Sequence, residues 1–187
     1  MQKLLTLALL TLLLTGAQSP RPGKDLAVFF AIEDYKYWPK LKYPIDEAEG
    51  IAADLHDLYG FDTLIIRNPT KRQIQAKLED MLDRRYAQDG QLLLFFSGHG
   101  DFREDTKEGF FIPSDGVAND RYQDSYLFYP ALRRKVNGIP CPHIFLVVDA
   151  CFPVPSTTRS LSGPRPPIGI VRGRATSRSA RNLSPNN

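Results

Sequence analysis

The sequence predicts an α/β fold, a three-layer α/β/α sandwich around a mainly parallel sheet. Short, continuous apolar runs cover residues 26–32, 64–66, 92–96 and 144–148. Such runs are typical of strands that are buried on both faces. Helical patterns separate them, and an alternation of strand and helix favours parallel strands joined by right-handed crossovers.

The first two connections carry clear helix signals. In the first connection, apolar residues recur at helical spacing and Gly60 follows as a stop signal. These residues are Ala48, Ile51, Ala52, Leu55 and Leu58. In the second, Pro69-Thr70 begins a segment in which four apolar residues share one helical face. They are Ile74, Leu78, Met81 and Leu82.

The third connection is longer and mixed. Residues 101–122 are polar and rich in turn-forming residues, and the apolar interruption at 109–113 predicts a β-hairpin beside the third strand. A helix is predicted over 124–136, with Leu127, Ala131 and Leu132 facing inward. Pro130 has to lie early in this helix or kink it.

The N-terminus has the pattern of an export signal. Lys3 precedes an apolar run over 4–14, and the small residues before and at Ala17 suit cleavage there. Eleven apolar residues are too few to span a bilayer, although an uncleaved anchor is the alternative. We expect a signal peptide over 1–17, a linker over 18–24, and an exported protein, periplasmic or extracellular in a bacterium, with no membrane contact after cleavage.

Charge divides the remaining chain into a domain and a tail. Residues 18–152 carry 17 Lys and Arg against 21 Asp and Glu, a net charge of −4, whereas residues 153–187 carry six Arg and no acid. We therefore predict one domain over 25–152 and a disordered tail over 153–187, which also holds six Pro and six Ser. No aromatic residue interleaves the tail arginines, so we expect no nucleic acid as partner.

Two chemically active side chains follow the third and fourth apolar runs. Ser97-Gly98-His99-Gly100 ends one run, and Asp149-Ala150-Cys151 ends the other, with Cys151 lying 52 residues after His99. An imidazole and a thiol are the base and nucleophile of covalent acyl transfer, and both lie at carboxyl ends of strands. The N–H groups of Gly100 and Cys151 are candidates for an oxyanion hole. The alternative is that Cys151 is a buried structural thiol and His99 a turn residue.

The two cysteines are not expected to form a disulfide. With a strand between Cys141 and Cys151, a rise of ~3.3 Å per residue separates them by roughly 30 Å. A disulfide requires Cα atoms about 5.5 Å apart. Cys151 is therefore predicted to be a free thiol.

Together these motifs resemble the caspase and metacaspase superfamily of cysteine peptidases. The resemblance also includes residues 34–39 and 41–44, and it extends over 25–152, the large-subunit half of that fold. It is greater to the caspase-like domains of bacteria than to animal caspases. It implies a caspase-like fold that is incomplete at its C-terminal side. It also implies a dyad in which His99 is the general base and acid and Cys151 attacks the peptide bond to form a thioester.

The same resemblance implies a preference for substrates with Arg or Lys. Metacaspase-type members select these residues with carboxylates, and Asp149 matches one of them. The other lies in an Asn-Asp-Ala stretch that matches Asp46-Glu47-Ala48 here, which places Glu47 at the acidic position. Two carboxylates suit a guanidinium by charge and by bidentate hydrogen bonding. The alternative for Glu47 is a carboxylate favoured by a helix dipole.

The sequence departs from the family pattern after Phe152. Ser-Gly usually follows there, whereas this chain continues with Pro153-Val154-Pro155. Two explanations are open: the reading is truncated or frame-shifted, or the chain is a natural form with a disordered tail.

The primary prediction is a cysteine endopeptidase acting on protein or peptide substrates, and the alternative is a catalytically inactive or truncated interaction module. The fourth strand has an exposed edge, which favours self-association.

No other chemistry has a comparable pattern. The chain has no phosphate-binding glycine loop and no histidine and cysteine cluster with metal-ligand spacing. His56 and His143 are interpreted as structural. No cofactor is required, but calcium activates many metacaspases, and Asp101, Glu104 and Asp105 are acids that could contribute to a calcium site.

Overall fold

The computed structural model describes residues 25–151 and 171–172 of the 187-residue chain. The predicted signal peptide, the linker up to residue 24 and the rest of the predicted tail lie outside the described residues. None of the helices in this described part is both long and apolar enough to cross a bilayer.

A mixed sheet forms the centre of the described structure. Its strands are β1 (Leu26–Ala31), β2 (Asp62–Arg67), β3 (Gln91–Arg103), β4 (Glu108–Phe111), β5 (Leu127–Phe128), β6 (His143–Cys151) and β7 (Val171–Arg172). The parallel part has the order β2-β1-β3-β6. Strands β4 and β5 extend it in antiparallel fashion from the far end of β3, and β7 pairs antiparallel with β6. The predicted α/β class and its mainly parallel central sheet are confirmed.

One helix, α1 (Pro44–Tyr59), covers one face of the sheet. Ala48 and Ala52 are its buried contacts and pack against a cluster that contains Phe29 and Phe95. The helix predicted from the spacing of the apolar residues is present and ends before Gly60, but Ile51 and Leu58 of that set are exposed. Small alanines let the helix approach the sheet closely along an i, i+4 line, and the half-buried Ile45 and Leu55 pack against the same cluster.

The larger hydrophobic core lies on the face of the sheet opposite to α1. Helix α2 (Lys71–Asp83) begins at Thr70, whose hydroxyl accepts from the amide of Gln73 in a capping box. Its residues Ile74, Leu78 and Met81 are buried, as predicted, and Leu82 is half-buried. They pack against the sheet together with α3 (Tyr129–Gly138). The helices on the two faces make the predicted three layers.

The third helix begins later than the sequence indicates. A start at residue 124 is wrong, because Leu127 and Phe128 form β5, which pairs with Phe111 and Phe110 of β4. Pro130 then lies in the first turn of α3. Proline is favoured there because its missing N–H has no partner in the first turn of a helix. Leu132 is buried, whereas Ala131 is exposed.

Strand β3 is much longer than the apolar run that predicts it. Residues 91–99 pair in parallel with β6, and residues 100–103 pair antiparallel with β4. The predicted hairpin at 109–113 is therefore confirmed. His99, expected after the end of a strand, instead lies inside β3, at the point where the strand changes from parallel to antiparallel partners.

Strand β7 lies within the segment for which a disordered tail is predicted. Val171 and Arg172 pair with Leu146 and Phe145 of β6. Phe145 nevertheless remains 40% exposed.

The core face of α2 predicts the cost of truncating it. Leu78→Ala removes a side chain that is 1% exposed, and we expect it to lower the free energy of unfolding by about 2–5 kcal/mol. Leu58→Ala is the matched helical control, because Leu58 is 70% exposed. This control is expected to change stability by no more than about 0.5 kcal/mol. Urea unfolding followed by circular dichroism measures both variants, and equal effects would contradict the packing described here.

Candidate active site

The register of β3 and β6 brings the two candidate residues together. His99 and Cys151 are direct partners in the parallel ladder, and Ser97 and Asp149 are partners two positions earlier. Neighbouring strands lie about 4.8 Å apart, and directly paired positions lie on the same face of the sheet. The backbone therefore places an imidazole-bearing and a thiol-bearing residue side by side at the carboxyl end of the parallel strands.

Gly98 makes room for a side chain that supports this point of β3. A Cβ atom at Gly98 would collide with the hydroxyl of Tyr35 and would lie 3.3 Å from the ring of Phe111. The φ angle of Gly98 is 156°, a conformation that residues with side chains rarely adopt. Position 98 therefore requires glycine on both steric and conformational grounds.

A backbone carbonyl fixes the protonation pattern of His99. Its Nε2 atom lies 2.9 Å from the carbonyl oxygen of Pro39. Because a carbonyl oxygen can only accept, Nε2 carries the ring proton and donates it. In the neutral imidazole, Nδ1 then keeps its lone pair, and no polar group within the described residues bonds it. The free lone pair of a neutral imidazole is the group that takes a proton in general base catalysis.

Aromatic side chains from the segment after β1 enclose the imidazole. The rings of Tyr35 and Trp38 lie 4.7 and 6.0 Å from it, centroid to centroid. His99 is only 4% exposed as a result. Confinement of this kind limits the rotamers that the imidazole can adopt.

The enclosing segment is itself fastened to the sheet. The amide of Ile32 donates to the carbonyl of Ser97, and the amide of Lys36 donates to the carbonyl of Ser114. The side-chain oxygen of Asn68 accepts from the amides of Glu33 and Asp34. Residues that contact His99 are therefore held by bonds to several separate parts of the chain.

Tyr129 lies behind the candidate oxyanion-hole residue Gly100. A Cβ atom at Gly100 would lie 3.0 Å from the hydroxyl of Tyr129 and 2.7 Å from the Cβ of Ala150. Burial raises the pKa of Tyr129 to about 12, so the phenol stays neutral at ordinary pH. Gly100 thus allows close packing of α3 and β6 beside its backbone.

The two candidate specificity carboxylates are exposed to solvent. Glu47 lies in the first turn of α1, and Asp149 lies on β6 two positions after Val147. Val147 packs against the apolar cluster that contains Ala48, so α1 covers the face of β6 on which Val147 lies. Within the described residues neither carboxylate makes a hydrogen bond or an ion pair. Both therefore remain available for a cationic ligand.

Glu33, which the sequence analysis did not consider, caps α1. Its carboxylate accepts from the amide of Ile45 at 3.0 Å. An acidic partner for the N-terminus of this helix therefore comes from outside the helix. Glu47 makes no capping bond of this kind.

Cys141 is a free, buried thiol, so the predicted absence of a Cys141–Cys151 disulfide is confirmed. Its Sγ atom lies 3.4 Å from the carbonyl oxygen of Gly90. Burial raises the pKa of the Cys141 thiol, which lowers the thiolate fraction and hence the reactivity.

The acids considered for calcium have other partners in the described structure. Asp105 pairs with Arg103, Glu104 pairs with Lys107 at 2.7 Å, and one oxygen of Asp101 accepts from the amide of Phe102. No group of three His, Cys, Asp or Glu side chains in the described part of the chain is arranged to hold a metal ion.

An open depression of about 430 Å³ lies beside the segment that supports His99. Tyr35 lines it, together with Lys36, Ser114 and Asp115. Neither His99 nor the two exposed carboxylates line this depression. The candidate site is therefore defined by side-chain chemistry rather than by this cavity.

The comparison with protein families agrees with this arrangement. The family model for the caspase domain, peptidase family C14, matches residues 24–180. The chain belongs to the caspase-domain family. This is a family of cysteine peptidases, as the resemblance implies, and its match continues past residue 152 into the segment that contains β7.

A solved caspase has the same fold. The crystal structure of the Drosophila initiator caspase Dronc matches with a TM-score of 0.51 and 12% sequence identity. The match covers 66% of this chain and 54% of the Dronc chain, so the caspase-domain chain spans about half the length of that relative. At this identity the likeness shows the fold alone. No curated protein matches the chain significantly.

No motif in the sequence identifies the residues that hold His99. Residues 34–39 carry part of the family resemblance, but their pattern assigns no role to Tyr35, Trp38 or Pro39. The dense aromatic content of this segment was the available signal. A backbone carbonyl as the partner of His99 has no sequence signal, since every residue carries one.

The space around Gly98 gives a stability prediction. Gly98→Ala brings a methyl group against the Tyr35 hydroxyl and Phe111, and overpacking of this kind is expected to cost about 1–3 kcal/mol. Gly50→Ala is the control, because a Cβ atom at that helical position meets nothing within 4 Å. It is expected to stabilise the protein by about 0.5–1 kcal/mol. Thermal unfolding measures both variants, and stabilisation by Gly98→Ala would contradict the described packing.

Proposed function

We propose that this caspase-domain chain is a cysteine endopeptidase that cleaves peptide bonds after Arg or Lys, with His99 and Cys151 as its catalytic dyad. The main support is the β3–β6 register, which pairs His99 with Cys151. The Nε2 bond to the Pro39 carbonyl adds to it, because it leaves Nδ1 as the proton acceptor. No metal ion is needed for this chemistry.

The proposed reaction proceeds through a thioester. His99 Nδ1 takes the proton of the Cys151 thiol, and the sulfur attacks the carbonyl carbon of the substrate. The N–H groups of Gly100 and Cys151 stabilise the resulting oxyanion. His99 then gives its proton to the leaving amine, and a water molecule that His99 deprotonates hydrolyses the thioester. The enzyme returns to its starting state with a carboxylic acid product released.

The enclosure of His99 supports this assignment. Catalysis by a positioned base requires that the base holds one orientation before the substrate arrives. The 4% exposure of His99 and its bond to Pro39 meet that requirement. A turn residue exposed to solvent would show neither property.

The preference for a basic residue rests on Glu47 and Asp149. Both carboxylates are exposed, and Asp149 lies two positions after Val147, which packs against the cluster that contains Ala48 of α1. A substrate guanidinium or ammonium would supply the positive charge that neither acid finds among the described residues.

Export and self-association belong to the same proposal. The pattern of residues 1–17 favours export, and the edge of β6 outside its pairing with β7 favours contact with a second copy of this chain.

Removal of either dyad member is expected to abolish peptide hydrolysis. Cys151→Ala and His99→Ala should each lower kcat by at least about 10⁴-fold, because the two groups act as one unit. Cys141→Ala is the matched control, since this thiol is buried and hydrogen bonds to the Gly90 carbonyl. The measurement is hydrolysis of fluorogenic peptides ending in Arg, Lys or Asp by the folded full chain.

Two outcomes would contradict the dyad. Hydrolysis that persists in Cys151→Ala would assign the activity to another group or to a contaminant. No hydrolysis of any peptide by a folded wild-type chain, with or without calcium, would favour a non-catalytic module.

The specificity carboxylates give a separate prediction. Asp149→Asn and Glu47→Gln should each lower kcat/KM for Arg peptides by about 10- to 100-fold, the effect of losing a charged hydrogen bond worth ~1.5–3 kcal/mol. Asp46→Asn is the control in the same helical turn, and it should leave kcat/KM unchanged. Equal losses for all three variants would indicate a general charge effect and would remove the proposed specificity roles.

A further inference from the structure

We propose that Tyr35 is a positioning residue for His99, and that its hydroxyl replaces a strand partner at the point where β3 leaves the parallel sheet. The inference rests on the proposed function for the task that His99 performs, but the positioning itself is a property of the folded chain. Tyr35 touches no reacting atom in this proposal and acts only through His99.

The hydrogen bonds of His99 are divided between two kinds of partner. Its carbonyl oxygen accepts from the amide of Ile112, which follows β4, at 2.9 Å. Its amide N–H donates to the hydroxyl oxygen of Tyr35 at 2.7 Å. The carbonyl of His99 is thus bonded to backbone, whereas its amide is bonded to a side chain.

The geometry of β1 explains why a side chain is needed. The pairing of β1 with β3 ends at Ala31 and Ser97, and the last backbone bond on that side runs from the amide of Ile32 to the carbonyl of Ser97. Beyond it the chain turns into the segment that carries Tyr35. The amide of His99 would be left without a partner in a buried place, which is costly. The Tyr35 hydroxyl meets this need.

Tyr35 also limits the imidazole directly. The two rings lie 4.7 Å apart at an angle of 48°, and Tyr35 is 8% exposed. Pro39, four residues later in the same fastened segment, holds the Nε2 atom. Tyr35 and Pro39 therefore constrain His99 at its backbone and at the far side of its ring.

Gly98 belongs to the same arrangement. The Tyr35 hydroxyl occupies the space in which a Cβ atom of residue 98 would lie. A phenol can thus approach the amide of His99 only because the preceding residue is glycine. The pair Tyr35 and Gly98 is the structural device, and His99 is the residue that it orients.

Tyr35→Phe separates positioning from packing. The phenylalanine keeps the ring in the core but removes the acceptor for the His99 amide. We expect the imidazole of His99 to lose its single Nε2–H tautomer and to show a mixture, measured by ¹⁵N NMR of the full chain labelled at its three histidines. Assignment uses the spectra of His56→Gln and His143→Gln.

Kinetics provide the second measurement. Misorientation of the base should lower kcat by about 10- to 100-fold and leave KM unchanged. Tyr86→Phe is the matched control, because the Tyr86 hydroxyl donates to the Met81 carbonyl and has no contact with His99. This control should leave both the imidazole signals and kcat unchanged.

The imidazole and activity measurements distinguish the two proposals. Unchanged His99 signals in a folded Tyr35→Phe variant overturn the positioning role. A wild-type chain with no peptidase activity overturns the proposed function but leaves the imidazole measurement decisive for Tyr35.

If the Tyr35→Phe variant does not fold, amide hydrogen exchange of the wild-type chain tests the positioning role instead. The His99 amide should exchange with solvent as slowly as amides in the parallel ladder, and fast exchange overturns the role.

Discussion

Strand β3 changes from parallel to antiparallel partners between His99 and Gly100, and the rest of the candidate site depends on that change. Up to His99 it is a parallel strand beside β6, and from Gly100 it is one arm of an antiparallel hairpin. The surrounding side chains reach this point closely because Gly98 and Gly100 have no Cβ atoms: Tyr35 and Phe111 at one, Tyr129 and Ala150 at the other. The glycines around His99 are therefore required for packing beside the imidazole.

The chemistry of the candidate site follows from the hydrogen-bond partners of the buried imidazole of His99. The carbonyl of Pro39 fixes the proton on one ring nitrogen of His99 and leaves the other as a base. Asp149 and Glu47, by contrast, remain in solvent on the same side of the sheet. A buried base beside exposed acids matches what the proposed reaction requires, since the base must be oriented and the acids must meet a charged substrate.

Periodicity predicted the parts of the fold that depend on burial. The strands of the parallel sheet and the buried face of α2 follow from runs and spacings of apolar residues, and Thr70 signals the start of α2 through a local capping bond. The spacing of Ile51 and Leu58 predicts a helix, but it does not tell which apolar residues of that helix the sheet covers. The late start of α3 depends on the pairing of Leu127 with Phe111, a tertiary contact that local propensity does not contain.

The candidate site was predictable only in its residue types. His99 and Cys151 stand out because imidazole and thiol follow strand patterns, and the family resemblance identified Asp149 and Glu47. Tyr35 and Pro39 were not assigned roles, because their contributions depend on the path of the segment between β1 and α1. That path is set by bonds to Ser97, Ser114 and Asn68, which lie 30 or more residues away in sequence.

The pairing of His99 with Cys151 also determines when the site assembles during synthesis. The two strands are joined through 39 residues, from Arg103 to His143, that include β4, β5 and α3. Closing a connection of this length costs conformational entropy before the strand contacts compensate it, and long-range strand pairing is slow. A nascent chain that has emerged only as far as α3 contains His99, the proposed base, but lacks the strand that carries Cys151, the proposed nucleophile. Pairing of β6 with β3 in the central sheet and assembly of the proposed dyad are therefore the same event.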